Sequence, residues 1–168
     1  MSRLDSPIGP LALATDAEGR LRGLSFGDGL EAAMRREYPA AALAPGEPPP
    51  AVVAGLAAFF SGEREALTRI PWSLDGARST SGGDAFQPAV WRALTDIPCG
   101  TTISYGEIAR RAGQPGAAQA AGMALNRNPL PLVLPCHRVV GADGAMVGFG
   151  GGLERKTWLL RHEGALLI

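Results

Sequence analysis

"SYGEIARRAGQPGAAQAAGMALNRN", residues 104–128, decides the fold. Ser104 stands where a helix N-cap belongs, and Glu107 follows at capping-box spacing. Gly113 stops this helix, "QPG" turns the chain, and a second helix of small residues opens at Ala117. Two short helices joined by a tight turn make a helix-turn-helix layout. Upstream, "DAFQPAVWRALTDI" (84–97) predicts a further helix, with Asp84 and Gln87 in capping-box positions and Pro88 in the first turn. Its apolar face comprises Phe86, Val90, Trp91, Leu94 and Ile97. Downstream, "GADGAMVGFGGG" (141–152) predicts a hairpin with Asp143-Gly144 at its turn, and "LERKTWLLRHEG" predicts a last helix closed by Gly164. Helices plus a hairpin predict a winged helix-turn-helix domain.

The other half has different grammar. "GPLALATDAEGRLRGLSF" (9–26) predicts two strands around the loop "DAEGR". "LEAAMRREYP" predicts a short helix stopped by Pro39, and "APGEPPP" (44–50) a connector unable to sit inside a helix. "AVVAGLAAFFSG" predicts a helix ending at Gly62. "GARSTSGG" (76–83) has linker composition, which places the boundary near residue 80. The expectation is an α+β chain: a scaffold domain over 1–80 and a mainly helical domain over 81–168.

Composition narrows the function. The formal charge is zero, so no whole-molecule basic field announces a nucleic-acid partner. Residues 1–82 carry 8 Lys+Arg against 10 Asp+Glu (net −2), and residues 83–168 carry 8 against 6 (net +2). Arginine outnumbers lysine 15 to 1, a ratio that reflects genomic base composition rather than function. No apolar run has membrane-spanning length, and "MSRLDSPIGPLALATD" has no uninterrupted apolar region, so neither a membrane nor a signal peptide is expected. Two cysteines without a CxxC pair argue against a disulfide framework or a zinc site. The expected setting is cytoplasmic, with free thiols and no metal or cofactor.

"VLPCHRVVG" (133–141) joins one of two cysteines to one of two histidines. Cys136 is either a small buried hydrophobe or a nucleophile activated by a base. His137 is that base candidate; adjacent side chains diverge, so their contact can run through water. Pro135 and the apolar run "LPLVL" predict a sheltered turn after a strand, and Glu163 in "RHEG" can orient the imidazole. Spacing alone leaves both readings open.

The motifs decide between them. "FQPAVWRAL", "IPCGTTISYGEIA", "NPLPLVLPCHRVVGADG" and "GFGGGLERKTWLLRHEG" resemble the O6-alkylguanine-DNA alkyltransferases almost continuously over 86–164. "DSPIGPL" resembles the family's first domain less specifically. The resemblance implies a ribonuclease H-like scaffold domain ahead of the winged helix-turn-helix. It implies direct-reversal repair, in which Cys136 irreversibly accepts an alkyl group from guanine O6 in one turnover. His137 takes the thiol proton through water, with Glu163 holding its tautomer. Tyr105 donates to the guanine ring, and Asn128 holds the reactive turn. Val139, Val140 and the backbone from Ala145 to Gly150, with Phe149, help line the alkyl pocket.

The implied partner is double-stranded DNA carrying alkylated guanine, met by a monomer from the minor groove with little sequence preference. Ala117, Ala118, Ala120, Ala121 and Gly122 let the second helix approach the groove floor, with Arg127 and Arg138 beside the DNA. One position departs from the pattern: Gln119 stands where the family has a base-flipping arginine. That predicts weaker DNA binding or flipping, and opens an alternative in which the alkyl donor is another base or a small molecule. Arg127 is no substitute, since eight residues span roughly 12 Å of helix. The bland readings stay beside these: Tyr105 as a packing residue, Asn128 as a helix terminator, His162 as a dipole partner, and Cys99, Trp91 and Trp158 as structural.

Overall fold

The computed structural model describes residues 1–81, 85–144, 149 and 151–166. Two compact units divide the chain, Met1–Gly82 and Gly83–Ile168. In the first, β1 (Ser2–Leu4), β2 (Leu11–Thr15) and β3 (Leu21–Ser25) form an antiparallel sheet in that order. The predicted hairpin is β2–β3, and its loop is closed by Asp16, whose Oδ1 accepts the Glu18 and Arg20 N–H groups at 3.0 and 2.9 Å. β1 was not expected. Its three residues carry too little alternation to register as a strand, and pairing with β2 supplies what propensity does not.

Helix α1 (Leu30–Glu37) lays Leu30 and Met34 against this sheet. Pro39 stops it, as predicted. Pro50, the last residue of the connector, opens α2 (Pro50–Phe60), where a missing N–H costs nothing. Gly55 makes α2's close packing possible: a Cβ there would lie 2.4 Å from Ile70 Cγ1. The expected linker is in part a single helical turn, α3 (Arg78–Ser81), with the Ser79 N–H and hydroxyl both donating to Glu37.

The second unit begins with α4 (Phe86–Leu94), whose cap position is Ala85; Asp84 lies outside the described residues. Val90, Trp91, Leu94 and Ile97 are buried, as their spacing predicts. β4 (Ile103–Ser104) leads directly into α5 (Tyr105–Arg111). Ser104 Oγ accepts the Glu107 N–H at 3.0 Å, the predicted cap. The Glu107 side chain turns instead to Arg110 and Arg111. Gly113, at φ 94, ends the helix where an L side chain would be strained.

After "QPG", α6 (Ala118–Asn126) packs on α4 and α5 through Ala121, Ala124 and Leu125. Trp91 Nε1 donates to the Ala124 carbonyl at 2.9 Å, which confirms Trp91 as a core residue. The strand expected over "LPLVL" is absent. Prolines at 129, 131 and 135 remove ladder donors, and the segment instead folds into turns closed by Leu134 N–H on the Leu130 carbonyl at 2.8 Å. β5 (Val139–Val140) pairs in parallel with β4, Ile103 opposite Val139. The turn of the expected wing is present, with the Gly144 N–H on the Gly141 carbonyl at 2.8 Å. Its return arm, with Ala145 to Gly148 and Gly150, lies outside the described residues. α7 (Leu153–His162) closes the unit. Among the described residues, no helix is long and apolar enough to cross a membrane.

Candidate active site

The reactive segment is shaped by its backbone before any side chain acts. Leu132 is the one non-glycine at positive φ among the described residues, at 77°, and its side chain is fully buried. Such a conformation costs about 1–3 kcal/mol and persists only where packing holds it. Pro135, at φ −78 and ψ 71, makes an inverse γ-turn, so the Cys136 N–H donates to the Leu134 carbonyl at 2.7 Å. Asn128 braces the same turn: its Nδ2 donates to the Leu134 carbonyl at 2.8 Å and its Oδ1 accepts the Leu130 N–H at 2.9 Å.

Cys136, His137 and Arg138 form one 3-10 turn. Successive side chains on such a turn diverge by about 120°. All three are buried. Burial pushes the Cys136 thiol up to about 11, against opposing pulls from an Asn128 hydrogen bond and the Lys156 charge. Unaided, this thiol stays protonated at neutral pH.

His137 and Glu163 are both completely enclosed, with Nε2 and Oε2 2.9 Å apart. Burial works against the Glu163 charge, but bonds from His137 and Arg138 outweigh it and hold the carboxyl near 2. An ionised Glu163 accepts the Nε2 proton, which assigns the tautomer and leaves Nδ1 with its lone pair. Burial lowers the His137 pKa, so the ring is neutral at pH 7. Nδ1 is buried with no hydrogen-bond partner among the described residues. A basic nitrogen is thereby left open on the residue that follows the cysteine in the chain.

Arg138 does not lie at a DNA surface. Its Nε and Nη2 donate to Glu163, at 3.0 and 2.7 Å, and Nη1 donates to the Ile97 carbonyl at 2.7 Å. Arg138 is only 6% exposed, and each of its three guanidinium nitrogens already donates to a buried acceptor, so it is not presented to a phosphate. Its place is to neutralise Glu163 and tie the reactive turn to the turn that follows α4.

Tyr105 reaches the site because β4 pairs with β5: the strand that follows Cys136 holds the residues just before Tyr105. Burial raises its pKa first, and the negative charge that Cys136 would carry raises it further. Gly122 of α6 faces the same ring, with its missing Cβ 3.7 Å from Tyr105 Cε1. Ordinary contact would allow a methyl there, so this glycine is not required by Tyr105. Val139 and Val140 are buried beside the turn, and the Phe149 carbonyl accepts the Gly152 N–H at 2.9 Å.

One residue escaped the sequence reading. Lys156 is fully buried, and its Nζ donates to the Val139 carbonyl at 2.6 Å. Burial lowers its pKa while the Cys136 charge raises it. The signal was available: the chain's one lysine sits on the face of α7 that also carries buried Leu159 and Leu160.

The helix expected to meet DNA divides cleanly. Gln119, Ala120 and Arg127 are exposed, Ala117, Ala118 and Gly122 half-buried, and Ala121 buried in the core rather than free to approach a groove. His162 stacks on Trp158 with ring centroids 4.7 Å apart, and Cys99, like Cys136, is buried and outside any disulfide. No cluster of three metal-ligating side chains occurs among the described residues.

Known proteins resemble the chain along most of its length. The model for the 6-O-methylguanine DNA methyltransferase DNA binding domain matches residues 85–165. A methylated-DNA–protein-cysteine methyltransferase of Salmonella typhimurium is 38% identical over 99% of this chain and 96% of its own. One from Mycobacterium leprae is 44% identical over 95% and 89%. The crystal structure of Mycobacterium tuberculosis OGT in complex with DNA superposes with a TM-score of 0.74 at 36% identity, covering 98% of this chain and 92% of that one. With its cysteine, histidine and glutamate set in one buried turn and helix end, the chain belongs to the methylated-DNA–protein-cysteine methyltransferase family.

Proposed function

We propose that the protein repairs DNA by direct reversal, moving an alkyl group from guanine O6 to Cys136. The observation that carries the reading is the buried Glu163–His137 pair directly following a cysteine in a strained, braced turn. His137 Nδ1 takes the thiol proton, through water where the side chains diverge. The thiolate attacks the alkyl carbon, the C–O bond breaks as the S–C bond forms, and Tyr105 donates its hydroxyl hydrogen bond to the departing guanine. Lys156 and Asn128 stabilise the thiolate during the step; their pull on the Cys136 pKa supports this. A thioether has no leaving group for water, so each molecule acts once.

The substrate is duplex DNA carrying O6-alkylguanine, whose nucleotide must be extruded to reach a buried sulfur. Helix α6 meets the minor groove, with exposed Gln119 and Arg127 on its open face. A monomer suffices, because one chain carries the whole reactive set. A free thiol acceptor suits the reducing cytoplasm. The alternative donor suggested by Gln119 gains nothing from the relatives, which carry the methylated-DNA name.

Intact-mass spectrometry after incubation with duplex containing O6-methylguanine tests the assignment. The expected result is a stoichiometric gain of one methylene mapped to Cys136 and absent in Cys136→Ala. A modification elsewhere, or none on duplex, single strand or free base, would overturn it.

A further inference from the structure

Helix α6 carries one side chain that its other features leave unexplained. Met123 is 53% exposed, one of two large apolar side chains so exposed among the described residues. Its neighbours on the open face are small or polar: Gln119, Ala120, Asn126 and Arg127. At about 100° per residue, Met123 lies at the centre of that face, with Gln119 about 40° to one side and Arg127 about 40° to the other. The opposite side, Ala121, Ala124 and Leu125, is spent on the core. Gly122, about 100° from Met123, borders Tyr105 and so connects the open face to the reactive site.

The electrostatics of this region name the partner. Residues 108–142 contain no carboxylate side chain. A helix drawn from a stretch without acids, and bordering Tyr105 through Gly122, suits a polyanion better than a second protein surface. Apolar side chains that enter the minor groove press against sugars and between base steps, and they hold the duplex distorted. A thioether on three rotatable bonds fits such an irregular gap well.

We propose that Met123 is the apolar wedge with which α6 seats in the minor groove, sharing with Gln119 the task of holding the stack open around an extruded nucleotide. This rests on the repair reading above. Gln119 lies one turn before Met123 on the same face, so the amide can bond the orphaned base while the thioether fills the space beside it. The pair replaces charge with contact. Binding through Met123 therefore adds affinity without adding to the salt dependence.

The test compares wild type, Met123→Ala and Met123→Leu in two measurements. The first is the ratio of transfer rates from a short O6-methylguanine duplex and from free O6-methylguanine base. The second is the affinity for an undamaged duplex, by fluorescence anisotropy across a salt series. Met123→Ala is expected to lower the rate ratio about fivefold and weaken binding by a similar factor with the salt slope unchanged, while Met123→Leu stays within about twofold of wild type. A ratio at or above wild type for Met123→Ala would show an idle or obstructing side chain and overturn the proposal. Equal losses on both substrates would overturn it as well, since the residue would then act through the fold. Failure of wild type on both substrates would sink the repair reading instead, and the anisotropy series would still decide Met123.

Discussion

Glu107 and Glu163 each hold two basic partners close in sequence or space, and both carboxyls are drawn down to about 2. Glu107 sits partly exposed on the first turn of α5, with bonds from Arg110 and Arg111. Glu163 sits at the end of α7, sealed from solvent, with His137 and Arg138. Water would solvate the Glu107 charge if its partners left, so that cluster stabilises little. Nothing would solvate Glu163. The same depression therefore marks a decorated surface in one place and an obligatory ion cluster in the other.

Removing the buried charge should give the largest effect. Glu163→Gln strands the Arg138 guanidinium and unfixes the His137 tautomer, with an expected loss of about 3–5 kcal/mol. The denaturant midpoint at constant m-value measures it, and adding Arg138→Met should recover part of the loss. A variant as stable as wild type would erase the contrast between the two glutamates. Transfer to Cys136 should fall in both variants, because neither restores the carboxylate behind His137.

Acid titration should separate the glutamates next. His137 has a folded pKa below its ordinary 6.5, so its contribution is present above 6.5 and fades as pH falls through the lowered value. Glu163 contributes above its ordinary 4.5 and loses that contribution between 4.5 and about 2. Stability should thus drop in two stages, and the lower stage should shrink in Glu163→Gln, more than in any variant of an exposed carboxylate. The smallest effect belongs to Glu107→Gln, expected to leave Tm within about 2 °C of wild type and the acid curve nearly unchanged. A large shift there would mean the α5 cluster is tied to the core in a way its exposure conceals.

The contrast also explains what could be read from the chain alone. The α5 cap, the α7 stop and the apolar face of α4 follow from local rules, and the structure has them at the expected residues. Cys136, His137 and Glu163 were legible as a set through the motifs around them that resemble the alkyltransferases, since their spacing alone fits an inert buried thiol equally well. The placement of Arg138 was not, because an arginine next to an active site looks the same whether it faces phosphate or a buried carboxylate. Only long-range packing of α7 on the reactive turn decides that. The strand expected before Cys136 failed for a local reason: apolar composition suggested a ladder that three prolines forbid. The two-residue β4–β5 pairing, which sets the start of α5 beside the strand that follows Cys136, was too short to leave any period in the sequence.

Lys156 has a practical consequence. The chain contains no other ε-amine, and this one is enclosed within the reactive site. Amine-directed reagents therefore find only the terminal amino group on the native molecule, and a lysine adduct records an opening of the site itself. A pulse of acylating reagent, read by peptide mapping, turns that single buried nitrogen into a clock for how often the repair centre breathes.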